Sequence, residues 1–274
     1  MSENVRQQLQ INATLPKDTK KRIRKRKGTK VASSELKKPP VTDFEEEFVE
    51  DYQEIIFEPN VGPQTAFLAA TEQEVLYGGA AGGGKSYAMV ADPVRYFGNP
   101  NARMLLVRRS TEELRELISV SKMLYPKAIP GIKFMERDKT WVAPSGATLW
   151  MSYLDRDDDV MRYQGQAFNW IGFDELTQWP TPYPWNYMRS RLRTTKDSGL
   201  PLYMRATSNP GGPGHQWVKK TFIDPAEHNK SYWATDIDSG EVIRWPRGHS
   251  REGEPLFKRK FIPATLFDNP YLSD

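Results

Sequence analysis

Eight consecutive residues constrain this chain more than any other feature. Gly79, Ala80, Ala81, Gly82, Gly83, Gly84, Lys85 and Ser86 match G-x-x-x-x-G-K-[ST] in full. Each residue type has a physical reason. Glycines let the backbone curl so that successive N–H groups converge on phosphate oxygens. Lys85 brings a mobile positive charge to the β and γ phosphates, and Ser86 offers a hydroxyl to Mg2+. The flanks agree: residues 74–77 (EVLY) read as a short strand, and residues 85–96 as a helix stopped near Gly98 and Pro100. The plain alternative is a glycine-rich turn before a capped helix. The full pattern in its strand–loop–helix context argues against it. The expected cofactors are ATP and Mg2+.

Further strands and helices follow the loop. Residues 103–108 (RMLLVR) form a continuous apolar run, as in a strand buried on both faces of a parallel sheet. Ser110 with Glu113 three residues on is a capping box opening a helix over 111–124. Residues 132–153 alternate around Pro144 and Gly146, which suggests hairpin strands. Residues 168–173 (FNWIGF) and 202–207 (LYMRAT) are two more buried strands. Strands alternating with helices predict an α/β fold, a P-loop NTPase with a mostly parallel central sheet flanked by helices. The folded region is expected over 59–274, with residues 215–274 as a peripheral lid or hairpin layer.

Charge divides the chain before that region. Residues 1–40 hold 12 Lys and Arg against 3 Asp and Glu, and the remaining residues hold 27 against 32. The basic character therefore lies in the tail and not in the body, although the whole chain carries +4. Residues 1–42 are expected to be a disordered basic tail, either an electrostatic arm for nucleic acid or a solvated extension. Residues 43–58 read as an acidic linker. There is no cysteine, which excludes a disulfide framework and thiolate metal sites. No apolar run reaches the length of a membrane span. The three histidines lack zinc-ligand spacing.

The acidic pair Asp174 and Glu175 follows an apolar strand about ninety residues after the phosphate loop. A carboxylate there completes a Mg2+ shell, the reading for Asp174, and a neighbouring glutamate polarises the attacking water, the reading for Glu175. A surface turn with two solvated acids is the alternative. Thr207, Ser208 and Asn209 end another core strand, where small polar groups meet a γ-phosphate; an Asx-capped Pro-Gly turn is the alternative. Gln64 has an amide suited to an adenine edge. Arg108, Arg109, Arg162, Arg189, Arg191 and Arg193 are candidates for offsetting charge on a transferring phosphoryl group, with Arg162 ranked first.

Taken in order, these pieces resemble the ATPase domain of the large terminase subunit of tailed bacteriophages. The resemblance rests on GPQTAFL (62–68), LYGGAAGGGKS (76–86), LLVRRS (105–110), RYQGQAFNWIGFDELTQWP (162–180), ATSNPGGPGHQWVKKTFI (206–223) and FDNPYL (267–272). It implies an ATP-hydrolysing motor that drives double-stranded DNA into a procapsid. It implies Gln64 as the adenine contact, Lys85 and Ser86 as phosphate and Mg2+ ligands, Asp174 as the metal-associated acid and Glu175 as the catalytic glutamate. Thr207, Ser208 and Asn209 become the motif coupling hydrolysis to DNA movement. Implied partners are the portal protein, the small terminase subunit and further copies in a pentameric ring, in the host cytoplasm and transiently on the procapsid. Two departures stand out. Family members often carry an arginine inside the phosphate loop, where this chain has Ala80 and Ala81, so a trans-acting arginine such as Arg162 is expected. The family's nuclease domain is expected to be absent, and nuclease activity with it. The alternatives are another DNA-translocating or helicase-like P-loop ATPase, and a nucleotide-gated assembly protein that binds portal and DNA.

Overall fold

A computed structural model describes residues 11–12, 55–80, 82, 84–195 and 197–268. The tail expected over 1–42, most of the linker expected over 43–58, Ala81, Gly83 and the end of FDNPYL lie outside the described residues, apart from the two-residue strand β1 (Ile11–Asn12). β1 pairs antiparallel with β2 (Ile55–Phe57). The linker expectation does not hold for β2, whose Phe57 is buried and stacks on Tyr87 with ring centroids 5.4 Å apart.

The rest of the chain builds one sheet. After α1 (Pro63–Leu68) come β3 (Glu74–Gly79), α2 (Lys85–Ala91) with a 3-10 extension (Asp92–Tyr96), β4 (Arg103–Arg108) and α3 (Thr111–Ala128). Then follow β5 (Lys133–Met135), β6 (Thr140–Val142), β7 (Thr148–Tyr153), a 3-10 segment (Asp157–Tyr163) and β8 (Trp170–Phe173). A 3-10 turn (Leu176–Gln178), α4 (Tyr183–Arg189), β9 (Tyr203–Ser208) and α5 (His215–Val218), which runs into a π-helical turn (Lys219–Ile223), lead to β10 (Ser231–Trp233) and β11 (Lys258–Ala264). Among the described residues the main sheet has nine strands in the order β10-β11-β3-β9-β8-β4-β7-β6-β5. The strands from β11 to β7 in that order all run parallel, β10 pairs antiparallel with β11 at one edge, and at the other β6 pairs antiparallel with both β7 and β5.

The α/β expectation therefore holds, and burial explains it. Met104, Leu105, Leu106 and Val107 of β4 are all at most 1% exposed, as a strand covered on both faces requires. Alternate residues feed two cores. Val75, Tyr77, Met104 and Leu106 pack with Phe67, Met89 and Leu117 on one face. Leu76, Leu105, Val107, Ile171 and Phe173 pack with Trp179, Trp185 and Phe222 on the other. Gly172 lets α2 approach closely, since a Cβ there would lie 2.4 Å from Trp170 and 2.9 Å from the Met89 sulfur. The Ser110–Glu113 capping box opens α3 as expected. That helix runs past Leu124 and through Pro126, because Leu124 and Tyr125 are buried and Ile129 N–H still reaches the Tyr125 carbonyl at 2.8 Å.

Residues beyond 215 are not all peripheral. A hairpin does fill much of 234–257, with bridges Thr235–Val242 and Arg244–Pro255. β11, however, is an interior strand lying directly beside β3, in register from Arg259 opposite Glu74 to Ala264 opposite Gly79. Glu74, 0% exposed, accepts from Arg189 and, at 2.7 Å, from Arg259, and so ties the beginnings of β3 and β11 together.

Candidate functional site

The C-terminal ends of β3, β9, β8 and β4 are neighbours in the sheet, and their last residues form the site. β3 ends at Gly79, whose φ of +135° is open to glycine, and where a Cβ would lie 1.8 Å from the Ala264 carbonyl oxygen. Ala80 N–H then donates to that oxygen at 3.0 Å. Gly82 and Gly84 also take positive φ values of +83° and +69°, the curl expected of a phosphate loop. Lys85 at the start of α2 is 5% exposed, and its ammonium donates to the Ala80 carbonyl. Burial pulls the Lys85 pKa below its usual value against the opposing pull of Glu175 and Asp174.

Ser86 Oγ donates to Asp174 Oδ1 and Oδ2 at 3.2 and 3.3 Å, joining two residues 88 apart in sequence. Asp174 is fully buried at the end of β8. It also accepts from Thr207 Oγ1 and from the Arg108 guanidinium at the end of β4. Arg108 reaches on to Glu113 at 3.6 Å. Burial alone would raise the Glu113 pKa, but hydrogen bonds from Gln178 and Ser110 and the charge of Arg108 bring it below its usual value.

Glu175 has φ +59° and ψ +57°, a left-handed conformation that costs a non-glycine residue on the order of 1–3 kcal/mol. Its backbone N–H donates to Thr207 Oγ1 at 3.1 Å. Its carboxylate accepts from the Asn209 backbone N–H at 3.0 Å and from the Asn209 side-chain amide at 2.7 Å. Burial raises the Glu175 pKa, aided by the adjacent Asp174 and opposed by Asn209, Arg108 and Lys85. The Asn209 Oδ1 is buried with no donor among the described residues.

A cleft of about 380 Å3 opens beside the loop at Gly84. Phe57, Asn60, Gln64 and Tyr87 line it. Gln64 accepts from Asn60 N–H at 2.6 Å and donates to the Gly84 carbonyl at 3.0 Å, which links the cleft to the phosphate loop.

The structure thus brings together the described members of 79–86, Asp174, Glu175, Thr207 and Asn209, with Gln64 at the margin. It does not bring Arg162 there within one chain. Arg162 is 43% exposed, pairs with Asp159 at 3.0 Å, donates to the Tyr153 carbonyl and lies over the Tyr153 ring. The arginine at the acidic pair is Arg108, which sequence reasoning ranked below it. Ser208 also differs from expectation: its hydroxyl is buried and turned to Thr177 Oγ1 at 2.9 Å. Thr177 was missed, because a threonine three residues past an acid carries no motif.

A Mg2+ ion suits the donor set. Ser86 Oγ and the Asp174 carboxylate are hard oxygen donors already in contact, and such an ion takes its other ligands from phosphate and water. Among the described residues no group of three or more His, Asp or Glu is placed to hold a metal ion without a nucleotide. No helix among them is long and apolar enough to cross a membrane.

Comparison with solved structures agrees with this architecture. The chain is similar to the large terminase of a thermophilic bacteriophage, with 16% identity and a TM-score of 0.51 over 79% of this chain and 48% of that one. It is similar to the same phage protein in complex with ADP, with 15% identity and a TM-score of 0.50 over 77% and 47%. At these identities the likeness establishes the fold, and the chain spans about half the length of these two structures. A search of curated protein sequences finds no match. The family model for the terminase large subunit, T4likevirus-type, N-terminal, matches residues 76–239, more than half of the chain, and the chain belongs to that family.

Proposed function

We propose that this chain is the ATP-hydrolysing motor domain of a viral DNA-packaging machine, driving double-stranded DNA into a procapsid. The observation that carries this reading is the contact of Ser86 with Asp174, with Glu175 beside them on a carboxylate held by Asn209. A hydroxyl and a carboxylate meeting behind a phosphate loop serve a metal–triphosphate, and the second acid serves water.

In this reading the base lies in the cleft between Phe57, Tyr87 and Gln64. The triphosphate lies over residues 79–86, and Lys85 turns from the Ala80 carbonyl to the β and γ oxygens. Mg2+, when held by Ser86 and Asp174, neutralises phosphate charge. Glu175 takes the proton of the attacking water as its oxygen bonds to the γ-phosphorus and the bond to ADP breaks. Thr207 supports both acids at once, accepting from Glu175 N–H and donating to Asp174, which suits a group that reports the state of the nucleotide. Arg108 supplies positive charge from within the chain, and the exposed Arg162 is the arginine this reading assigns to a neighbouring copy. Portal protein, small terminase subunit and a pentameric ring are the partners of this reading, and the host cytoplasm is its place.

The test is steady-state phosphate release with Mg·ATP. Glu175→Ala is expected to lower kcat by about 100- to 10,000-fold while ATP still binds. Hydrolysis by the unmutated chain that the substitution leaves untouched would remove Glu175 from its role.

A further inference from the structure

Phosphate chemistry does not require Thr177, yet its polar atoms all reach the loop that holds Glu175. It sits in the 3-10 turn two residues past Glu175 and is 5% exposed. Its backbone N–H donates to Ser208 Oγ at 3.3 Å. The Ser208 hydroxyl donates to Thr177 Oγ1 at 2.9 Å, and Thr177 Oγ1 donates to the Asn209 carbonyl at 3.3 Å. The three bonds form a chain from the Thr177 N–H through both hydroxyls to the Asn209 carbonyl, and Ser208 Oγ itself lies 3.0 Å from that carbonyl. Farther along, Gly214 N–H donates to the Thr177 carbonyl at 2.7 Å. A Cβ on Gly212 would come within 2.9 Å of that same carbonyl oxygen, so the loop is moulded on this residue.

These contacts bracket Asn209. Residue 208 is tied on one side and residue 214 on the other, and the loop between them has positive φ at Gly211 and Gly212. Asn209 in turn is the only residue donating to both Glu175 carboxylate oxygens among the described hydrogen bonds. The carboxylate itself sits on a left-handed backbone that does not hold its own position cheaply.

We propose that Thr177 is a positioning residue for hydrolysis, acting with Ser208 through Asn209 to hold the Glu175 carboxylate. This rests on the reading of Glu175 as the base. The hydroxyl of Ser208 belongs to this clamp and does not face the nucleotide. The consequence is a division of labour along one strand end: Thr207 supports the two acids, Ser208 anchors the loop and Asn209 orients the base.

The test compares Thr177→Val, which removes the hydroxyl at nearly constant volume, with Thr177→Ser, which keeps it. kcat and KM for ATP are measured on the full chain, with urea midpoints as a check on folding. Thr177→Val is expected to lower kcat by about ten- to a hundredfold through misplacement of a reacting group. KM should stay within about twofold, because the cleft and Lys85 are untouched, and Thr177→Ser should recover most of kcat. Ser208→Ala interrupts the same chain and should match Thr177→Val, so the idea stays testable if one variant folds poorly. In a Glu175→Ala background, Thr177→Val should have no further effect on kcat, since groups acting as one unit are not additive. Wild-type kcat in Thr177→Val or in Ser208→Ala overturns the proposal. So does a full additional loss in the Glu175→Ala background. Unchanged hydrolysis by Glu175→Ala alone is a separate outcome: it removes the base assignment itself, and the clamp with it.

Discussion

Gly79 is the point where the fold and the phosphate loop constrain each other most tightly, and Gly79→Ala measures that constraint. Two costs arise. A φ of +135° is strained for any side chain, by about 1–3 kcal/mol. The new Cβ would also sit 1.8 Å from the Ala264 carbonyl oxygen, 2.8 Å from its carbon and 2.9 Å from its nitrogen. Backbone cannot swing aside as a flexible side chain can. Relief requires the end of β11 to withdraw, which breaks the Ala80 N–H bond to Ala264 and unpairs the last residues of β3. Leaving those groups unsatisfied adds about 1–3 kcal/mol. The total is about 2–6 kcal/mol, against a typical domain stability of about 5–15 kcal/mol. With a denaturant slope of about 2 kcal/mol/M, the urea midpoint should fall by about 1–3 M. Gly98→Ala is the control. Gly98 has no positive φ and nothing within 4 Å of a new Cβ, so its midpoint should be unchanged or raised by the equivalent of up to about 1 kcal/mol. Urea unfolding followed by far-UV circular dichroism reads both. If Gly79→Ala matches Gly98→Ala within about 0.5 kcal/mol, β11 does not press on the loop and the steric account fails.

Glu74→Gln should destabilise the chain by about 3–5 kcal/mol at neutral pH, because it leaves Arg189 and Arg259 partly unpaired in the interior. Burial alone would raise the Glu74 pKa, yet the two guanidinium groups bring it below its usual 4.5, so its contribution is present above that pH and lost as pH falls through the lower folded value. Melting temperatures of parent and variant should therefore converge on acidification below 4.5, and a constant gap would refute the ionic account. Arg108→Ala removes the cation beside the buried Asp174 and should lower kcat by about 100- to 1,000-fold, with Arg108→Lys recovering only part because an ammonium lacks the fork reaching both Asp174 and Glu113. Arg162→Ala should leave stability in urea within about 0.5 kcal/mol of the parent, since its pairs are exposed, and should lower turnover only at protein concentrations that allow assembly. Loss of turnover independent of concentration would place Arg162 in its own chain's chemistry.

The parts of the molecule legible in the sequence are those whose signal is local. The phosphate loop, the apolar run of β4, the β8 strand before the acidic pair and the Ser110–Glu113 cap each lie within a few residues and have one physical interpretation. β11 was not legible. Its sequence KRKFIPA carries three cations and a proline, features of an edge, yet it lies inside the sheet between β10 and β3. Arg259 is tolerated there because Glu74, in a strand some 185 residues earlier, neutralises it. Pro263 is tolerated because β10 pairs only with residues 258–260, so the missing N–H interrupts no ladder on that side. Both compensations depend on long-range pairing and leave no local trace.

The same reasoning explains why the arginine ranking changed. Along the chain Arg162 is close to Asp174, and Arg108 is 66 residues away. The sheet order reverses those distances, because β4 is the immediate neighbour of β8 and their ends lie side by side, whereas residues 157–163 pack against α4. Insertion of β9 between β3 and β8 has the matching effect on the other side. It places Thr207 between the phosphate loop and the acids, within reach of Asp174 and of Glu175 N–H. Which polar groups meet at the site is therefore decided by which strands are adjacent. Residue types at strand ends identify the candidates, and the strand order selects among them.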